Sequence, residues 1–319
     1  MSILPLSVTS RHYTPDDMLR VRDMLVETHA AWDPPINWRL ERWEYARYFV
    51  ASMLGDPDPV ASEANIRRWE DLTGVWQDAS GEVVAVATIE HPDLDHEGFG
   101  EAALMRRPGH EDLLDAMLAY AERRLAHPDT GVLRVPIQDH DAALRAAAAR
   151  RGYVMDPNHS EIESELVLGD LPAPVVPDGF ALRSMAEGGD LALRAKAFGL
   201  GFNRPDPKDW PSAATYAELQ RAPDYRADLD ICVVAPDGEI ASFCLVWFDA
   251  RNQMVSLEPV GTVPAYRRRG LARAAVLEGL HRAAALGAER AWVGSNQAFY
   301  KTLGFQERLW AHTWRKSGL

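Results

Sequence analysis

The two halves of the sequence repeat one pattern in the same order. Residues 80–89, SGEVVAVATI, match residues 237–246, DGEIASFCLV, in a turn residue, a glycine, a glutamate and a β-rich run. Positions 80 and 237 are 157 residues apart, and so are Glu101 and Glu258. Two further matches follow in the same order, DPPINW (33–38) with PDPKDW (205–210) and RRGYVM (150–155) with TLGFQE (302–307). Matches in one order predict two copies of one fold.

A proline-rich stretch separates the two copies. Residues 168–179, LGDLPAPVVPDG, show neither helical nor strand periodicity, so they read as a linker. A chain of 319 residues is long enough for two domains that each bury a core. We therefore predict domains at 1–170 and 179–319, joined by a linker at 171–178.

Strands and helices alternate in the second copy. GFALRS (179–184) reads as a strand and GDLALRAKAFGLGF (189–202) as a helix. DICVVA, the turn PDG and EIASFCLVWF predict a hairpin, and MVSLEPVGTV (254–263) predicts another strand. Apolar residues at 272, 276, 280, 283 and 286 predict one helix from 270 to 286, closed by Gly287. RAWVG, NQAFYKTL and FQERLWAHTWRK predict a strand, a short helix and a last strand. The fold class is α/β or α+β, with a mixed sheet flanked by helices.

Charge and composition exclude several classes of function. The net charge is −13 and the isoelectric point about 5.2, which argues against a general nucleic-acid binder or anionic-membrane binder. No apolar run is long enough for a membrane span, and the amino terminus does not resemble a secretion signal. Cys232 and Cys244 do not have the spacing of a metal site. We expect a cytoplasmic protein with buried, reduced thiols and no metal.

Positive charge is concentrated where a strand meets a helix, in EPVGTVPAYRRRGLARAAV (258–276). The start of a helix leaves backbone N–H groups unpaired and carries partial positive charge, so it favours phosphate. Gly270 lets a phosphate approach the main chain closely, and arginine guanidinium groups add donors. A solvated basic patch would explain the charge but not this order of strand, proline, arginines, glycine and helix. The loop lacks both the nucleotide P-loop ending and the dinucleotide fingerprint.

This loop resembles the central motif of the GNAT superfamily of acetyl-CoA-dependent N-acyltransferases, an Arg or Gln, two residues, Gly, one residue, then Gly or Ala. The resemblance covers 178–319 and implies two tandem GNAT-like domains, each a mixed, largely antiparallel sheet flanked by helices. Their layout is similar to that of the mycothiol synthases, although no residue singles out an aminosugar substrate. The resemblance implies that residues 268–273 hold the pyrophosphate of coenzyme A (CoA), while residues 260–262 line its pantetheine arm. The predicted cofactor-binding residues are Val260, Gly261, Thr262, Arg267, Arg268, Arg269, Gly270, Leu271, Ala272, Arg273 and Asn296.

A second segment, NQAFYKTLGF (296–305), resembles the family's carboxy-terminal Asn…Tyr…Leu-Gly-Phe motif. The resemblance implies that Tyr300 is the general acid beside the CoA sulfur. Asn296 and Tyr300 are four residues apart, so we expect them to share a helix face.

Glu258 is the candidate general base. An alkyl amine is largely protonated at neutral pH, so its proton has to be removed before it can attack a thioester. Strand alternation predicts that Glu258 shares a face with Val260 and Thr262. The family often carries its glutamate nearer position 256, where this chain has Ser256. Glu258 is therefore either a base, acting directly or through a water, or an anchor for a cationic acceptor.

The first copy lacks these residues. At a spacing of 157, Glu111 and Asp112 replace Arg268 and Arg269, and Leu113 replaces Gly270. Ala148 stands where the second copy has Tyr300. Carboxylates at a pyrophosphate site are repulsive, so we expect a first copy that has lost CoA binding.

The sequence thus predicts an N-acetyltransferase that moves an acetyl group from acetyl-CoA to a primary amine of a small molecule by direct attack. One active site is expected, in the second copy. The alternative is a non-catalytic CoA-binding sensor or scaffold protein. We expect a monomer that is a pseudo-dimer of domains, or a homodimer, without nucleic-acid or membrane partners.

Overall fold

The computed structural model describes residues 8–53 and 58–319. Its contacts divide the chain into two compact units, neither of which is continuous in sequence. Unit 1 contains Met1–Ala51, Glu63–Ile162 and Leu309–Leu319, and unit 2 contains Ser52–Ser62 and Glu163–Arg308. These units are defined by contacts and the predicted domains by the repeat, so the boundaries 1–170, 171–178 and 179–319 remain a prediction.

Unit 1 is built around an antiparallel sheet in the order β1-β2-β3-β4. Strand β3 (VVAVATI) is buried at every position because it lies inside that sheet with apolar side chains on both faces. The elements of the first half are β1 Thr9–His12, α1 Asp17–Thr28, α2 Leu40–Tyr45 running through a π-helical turn Ala46–Val50 into α3 Ala51–Met53, α4 Pro59–Leu72, β2 Gly74–Gln77, β3 Val83–Ile89, β4 Ala102–Arg106, α5 Leu114–Arg124, β5 Leu133–Gln138, α6 Ala142–Arg150 and β6 Val154–Val167.

Unit 2 contains the second repeat and the candidate site. Its elements are β7 Ala181–Ser184, α7 Leu191–Gly201, α8 Ala213–Leu219, β8 Asp230–Val234, β9 Ile240–Asp249, β10 Met254–Thr262, α9 Leu271–Ala285, β11 Arg290–Val293 and α10 Ala298–Leu303, and the chain ends with β12 Gln306–Lys316. Residues 311–316 of β12 pair antiparallel with β5 in unit 1.

The sheet of unit 2 is mixed and largely antiparallel, as predicted. Strands β7, β8, β9 and β10 pair antiparallel in that order, β10 pairs parallel with β11, and β11 pairs antiparallel with residues 164–167 of β6. The core below this sheet contains α9, whose buried face includes Leu271, Ala275, Val276, Leu280 and Ala283. The helix predicted for 270–286 is therefore confirmed, with bounds at 271 and 285.

Candidate active site

The start of helix α9 presents a row of open backbone amides. Strand β10 ends at Thr262, a 3₁₀ turn covers Pro264–Tyr266, and Gly270 is the N-cap with φ 79°. Arg268 also has a positive φ, 65°, so the loop turns sharply twice before the helix. Among the described residues, the amides of residues 268–273 donate to no protein atom. Together with the helix dipole they form a site suited to an anion.

Gly270 leaves space at this site. A Cβ atom added to it would meet no protein atom within 4 Å, and its left-handed backbone is one that L side chains rarely adopt. Glycine is thus required here by backbone conformation, and the space beside it lies open to a ligand.

The arginines ahead of the helix have different functions. The guanidinium group of Arg267 donates to the carbonyl oxygens of Thr262 (3.0 Å) and Gly201 (3.0 Å) and to Oδ1 of Asn203 (2.7 Å). Arg267 therefore fastens the loop to the end of α7. These bonds use its Nε and Nη2 atoms, and its predicted role in binding the cofactor stays a prediction.

Arg268 and Arg269 supply the exposed positive charge beside the open amides. Within the part of the chain that the structure describes, Arg268 makes no hydrogen bond or ion pair. The guanidinium carbon of Arg269 lies 5.9 Å from the centre of the Tyr266 ring. Arg273, in the first turn of α9, is turned toward the carbonyl oxygen of Thr302 (3.4 Å).

One edge of strand β10 leads to these amides. Pairing with β11 covers only Met254–Ser256, whereas pairing with β9 continues to Thr262. Among the described strands, none pairs with the other edge of residues 257–262. Gly261 on this segment has to be small because a Cβ atom would overlap the ring of Phe243. The open edge can bind an extended chain through its backbone groups.

A β-bulge interrupts β10 at the candidate base. The register with β9 shifts between Leu257 and Val260, and both of these side chains pack on the core that contains α9. Strict alternation does not hold across a bulge, so the argument that Glu258 shares a face with Val260 and Thr262 is wrong. The charge of Glu258 contributes to a raised Tyr300 pKa, and the role of Glu258 as base stays a prediction.

Tyr300 lies on α10 in an apolar setting. Its side chain is 8% exposed, and its ring meets those of Phe299 and Phe305 edge to face at 4.9 Å and 5.7 Å. Among the described residues, its hydroxyl has no hydrogen-bond partner. Burial raises the Tyr300 pKa above its ordinary value, and the nearby Cys244 and Glu258 side chains raise it further. The phenol therefore retains its proton at neutral pH, as a general acid has to.

The predicted helix face shared by Asn296 and Tyr300 does not exist. Helix α10 begins at Ala298, so Asn296 lies before it. The Asn296 amide donates to Oε1 of Glu307 (3.3 Å), which also accepts from Lys301 (2.7 Å). A spacing of four residues indicates a shared face only where both residues are inside the helix.

Sequence reasoning missed a buried ion pair below the bulge. Arg194 of α7 and Asp230 of β8 are both fully buried, with Nε and Oδ1 3.1 Å apart. The signals were an arginine within the apolar run LALRAKAFG and an aspartate at the start of a buried strand.

The remaining predictions concern metals, thiols and membranes. Cys232 and Cys244 are buried and not disulfide-bonded, and burial raises the pKa of the Cys232 thiol to about 12. Over residues 8–53 and 58–319, no cluster of three or more metal-ligating side chains occurs. In the same residues, no helix is both long and apolar enough to cross a membrane.

Comparison with known proteins identifies this second repeat. Residues 198–305, which include the open edge, the amides and Tyr300, match the model of the acetyltransferase (GNAT) family. The carboxy-terminal region thus contains a GNAT-family domain at residues 198–305. A comparison with curated protein sequences finds no match.

Solved structures share the fold along nearly the whole chain. A tandem GNAT protein from the clavulanic acid biosynthesis pathway is 15% identical over 98% of both chains, with a TM-score of 0.60. A GCN5-related N-acetyltransferase from Sphaerobacter thermophilus is 18% identical over 99% of this chain and 97% of its own, with a TM-score of 0.57. The N-myristoyltransferase of Saccharomyces cerevisiae with bound myristoyl-CoA is 12% identical over 99% and 79%, with a TM-score of 0.56. The GNAT domain thus lies within a tandem GNAT fold, and the predictions of family, fold class and acyltransferase class are confirmed.

Proposed function

We propose that the chain transfers an acetyl group from acetyl-CoA to a primary amine of a small molecule, at one site in the GNAT domain. The observation that carries the proposal is the pair of open backbone segments around the GNAT motif. Residues 257–262 of β10 pair with no described strand on one edge, and the amides of residues 268–273 donate to no described protein atom.

The residues fit acetyl-CoA at the two places where it needs polar partners. The amides of residues 268–273, with Arg268 and Arg269, would hold the pyrophosphate, because amides at a helix start and guanidinium groups both donate to phosphate oxygens. The backbone of residues 260–262 would line the pantetheine arm. The N-myristoyltransferase that shares this fold was solved with an acyl-CoA bound, which supports an acyl-CoA as donor.

Two side chains would move protons during the transfer. The amine nitrogen attacks the thioester carbon, the carbon–sulfur bond breaks, and the acetyl group remains on nitrogen. Glu258 takes the proton that the amine loses, directly or through a water, and Tyr300 donates a proton to the leaving thiolate. In the alternative that the sequence left open, Glu258 anchors the cationic amine instead.

A panel of small amines separates an enzyme from a CoA sensor. The released CoA thiol is measured with each amine, and calorimetry measures the number of CoA molecules bound per chain. We expect thiol release with at least one amine and one bound CoA per chain. Binding without release for every amine would favour a non-catalytic CoA sensor, and two equivalent sites would contradict a first copy without CoA binding.

A further inference from the structure

The buried ion pair below the bulge links a helix to two aromatic rings. Besides Asp230, the guanidinium group of Arg194 contacts the hydroxyl of Tyr216 (2.9 Å) and lies 4.0 Å from the centre of the Phe243 ring. Removing two charges from water is unfavourable, so such a pair contributes little stability by itself. Its value lies in fixing the groups that it contacts.

From Asp230, a chain of contacts reaches the backbone of the candidate base. Tyr225 donates from its hydroxyl to Oδ2 of Asp230 (3.1 Å), and its ring stands nearly perpendicular to that of Trp247 at 6.4 Å. Trp247 is 1% exposed, and its indole N–H donates to the carbonyl oxygen of Glu258 at 2.8 Å. A path of buried and half-buried side chains thus ends on the peptide group of Glu258.

A second path reaches the far side of the same bulge. The ring of Phe243, which lies under Arg194, packs against Gly261 so closely that only glycine fits there. Contacts from the buried Arg194–Asp230 pair therefore reach both Glu258 and Gly261.

The bulge explains why an indole is needed. In the register of β10 with β9, Leu257 faces Val246 and Val260 faces Cys244, so neither Glu258 nor Pro259 has a partner in the ladder. A buried carbonyl group without a partner is unfavourable, and the Trp247 N–H supplies that partner.

We propose that Trp247 is a positioning residue: its indole N–H fixes the Glu258 carbonyl and thereby the place from which the Glu258 carboxylate takes the proton of the amine. This inference rests on the proposed function, in which Glu258 is the base. Trp247 itself lies on the neighbouring strand β9 and acts only through Glu258.

Two tryptophan-to-phenylalanine variants form a matched test. Trp247→Phe deletes the hydrogen bond to Glu258 and keeps an aromatic ring. Trp69→Phe deletes an indole hydrogen bond of the same length, 2.8 Å, to the carbonyl oxygen of Ile89 in unit 1. We expect both variants to lose similar thermal stability. Only Trp247→Phe should lower kcat, by roughly ten- to a hundredfold as expected for a misplaced catalytic group, with KM for acetyl-CoA unchanged. Equal kcat in the two variants would overturn the proposal.

A second measurement does not depend on catalysis. The titration of the Glu258 carboxyl group can be followed by NMR with ¹³C-labelled glutamate, using Glu258→Gln for assignment. We expect its midpoint to move in Trp247→Phe and to stay in place in Trp69→Phe, and an unmoved midpoint contradicts positioning. If the wild-type protein acetylates no amine, the proposed function is refuted. The titration would still show whether the Trp247 indole positions the Glu258 carboxylate.

Tyr225→Phe replaces Trp247→Phe if the latter does not fold. This variant keeps the indole and loses the hydrogen bond that the Tyr225 hydroxyl donates to Asp230, together with the one that it accepts from Gln220. A smaller decrease in kcat at constant KM is expected, together with a smaller shift of the same midpoint. An unchanged kcat and midpoint would overturn the proposal.

Discussion

Two pairs of corresponding elements begin at the same spacing in the two copies, but the copies differ at the start of one helix. Val83 and Ile240 begin β3 and β9, and Leu114 and Leu271 begin α5 and α9, each pair 157 residues apart. The start of α9 is open and preceded by arginines, as described above. The start of α5 is preceded by a 3₁₀ turn, Glu111–Leu113, with two acidic residues. Both copies have the same backbone arrangement here, and a few side chains determine whether the helix start favours anion binding.

Amides near this helix start already have acceptors in the first copy. Oε1 of Glu111 accepts from the amide of Gly109 (3.4 Å), and the amide of Leu113 donates to the carbonyl oxygen of His110 (3.1 Å). Carboxylates at this place repel phosphate, and these amides already have acceptors. The difference shows that the anion site needs free donors as well as a helix start.

A second difference lies at the end of the neighbouring strand. In the first copy, Arg106 at the end of β4 binds both carboxylate oxygens of Asp141, the N-cap of α6, at 2.9 Å, and both side chains are buried. At a spacing of 157, the second copy has Val263 and Ala298 at these positions. The first copy thus has a buried ion pair at two positions where the second copy has apolar residues.

The largest expected difference between the two copies comes from removing one tyrosine hydroxyl group in each of them. Tyr300→Phe removes the proposed acid and keeps the ring, so kcat should fall by roughly 10²- to 10⁴-fold while KM for acetyl-CoA stays the same. A thiolate leaves more easily than an alkoxide, which places the effect toward the lower end. Steady-state kinetics of thiol release measures both constants.

The matched control is Tyr153 in unit 1. Its hydroxyl is also buried and has no hydrogen-bond partner within the described residues. Tyr153→Phe should leave kcat unchanged, because only the tyrosine of the second copy lies beside the open edge. Wild-type turnover in Tyr300→Phe, or an equal loss in both variants, would remove Tyr300 from the mechanism.

Substitutions at the two helix starts should have unequal effects on CoA binding. Gly270→Val places a β-branched residue at a positive φ, at a cost of about 1–3 kcal/mol, and fills the space that a phosphate would enter. Every factor of ten in affinity corresponds to about 1.4 kcal/mol, so Kd for CoA should rise roughly ten- to a hundredfold. Calorimetry measures this constant.

Leu113→Val is the corresponding change in the first copy. It removes one buried methylene and should leave Kd for CoA unchanged. Equal changes in Kd for the two variants would mean that the anion site has been assigned to the wrong helix.

The ion pair of the first copy should matter for stability and not for transfer. Asp141→Asn leaves the buried Arg106 charge without its counterion and should lower the free energy of unfolding by about 3–5 kcal/mol. Denaturant unfolding measures this loss. At a temperature where the variant is folded, kcat and KM should match the wild type. A large loss of kcat would show that the first copy takes part in the chemistry.

Periodicity and motifs predicted the elements of the second copy well. The helix predicted for 270–286 is α9 at 271–285, and the strand predicted for 254–263 is β10 at 254–262. These segments depend on short-range patterns of apolar residues, which the sequence displays directly.

Side-chain roles were harder to predict because they depend on tertiary contacts. Arg267 belongs to the motif, yet its guanidinium group binds carbonyl oxygens of another segment. The bulge at Glu258 reflects how β10 pairs with β9, which no local pattern reveals. The contacts that lead from the Arg194–Asp230 pair to Trp247 and Glu258 join residues that are far apart in sequence. They can be recognised only once the arrangement of the strands is known.

The smallest expected effect distinguishes the two buried tyrosines by charge. Burial raises the pKa of both Tyr300 and Tyr153 above the ordinary value, but only Tyr300 is also affected by the charge of Glu258. A nearby negative charge makes the tyrosinate less favourable, so removing it in Glu258→Gln should lower the Tyr300 pKa. The change should be a fraction of a unit, equivalent to less than about 1.4 kcal/mol.

The control is Tyr153, whose pKa should not move. NMR titration with ring-labelled tyrosine, assigned with Tyr300→Phe and Tyr153→Phe, measures both. Since the Tyr300 pKa stays above about 10, the wild-type rate should show no loss from Tyr300 ionisation below that pH. A Tyr300 pKa unaffected by Glu258→Gln would separate the two residues and leave the proposed site without its base.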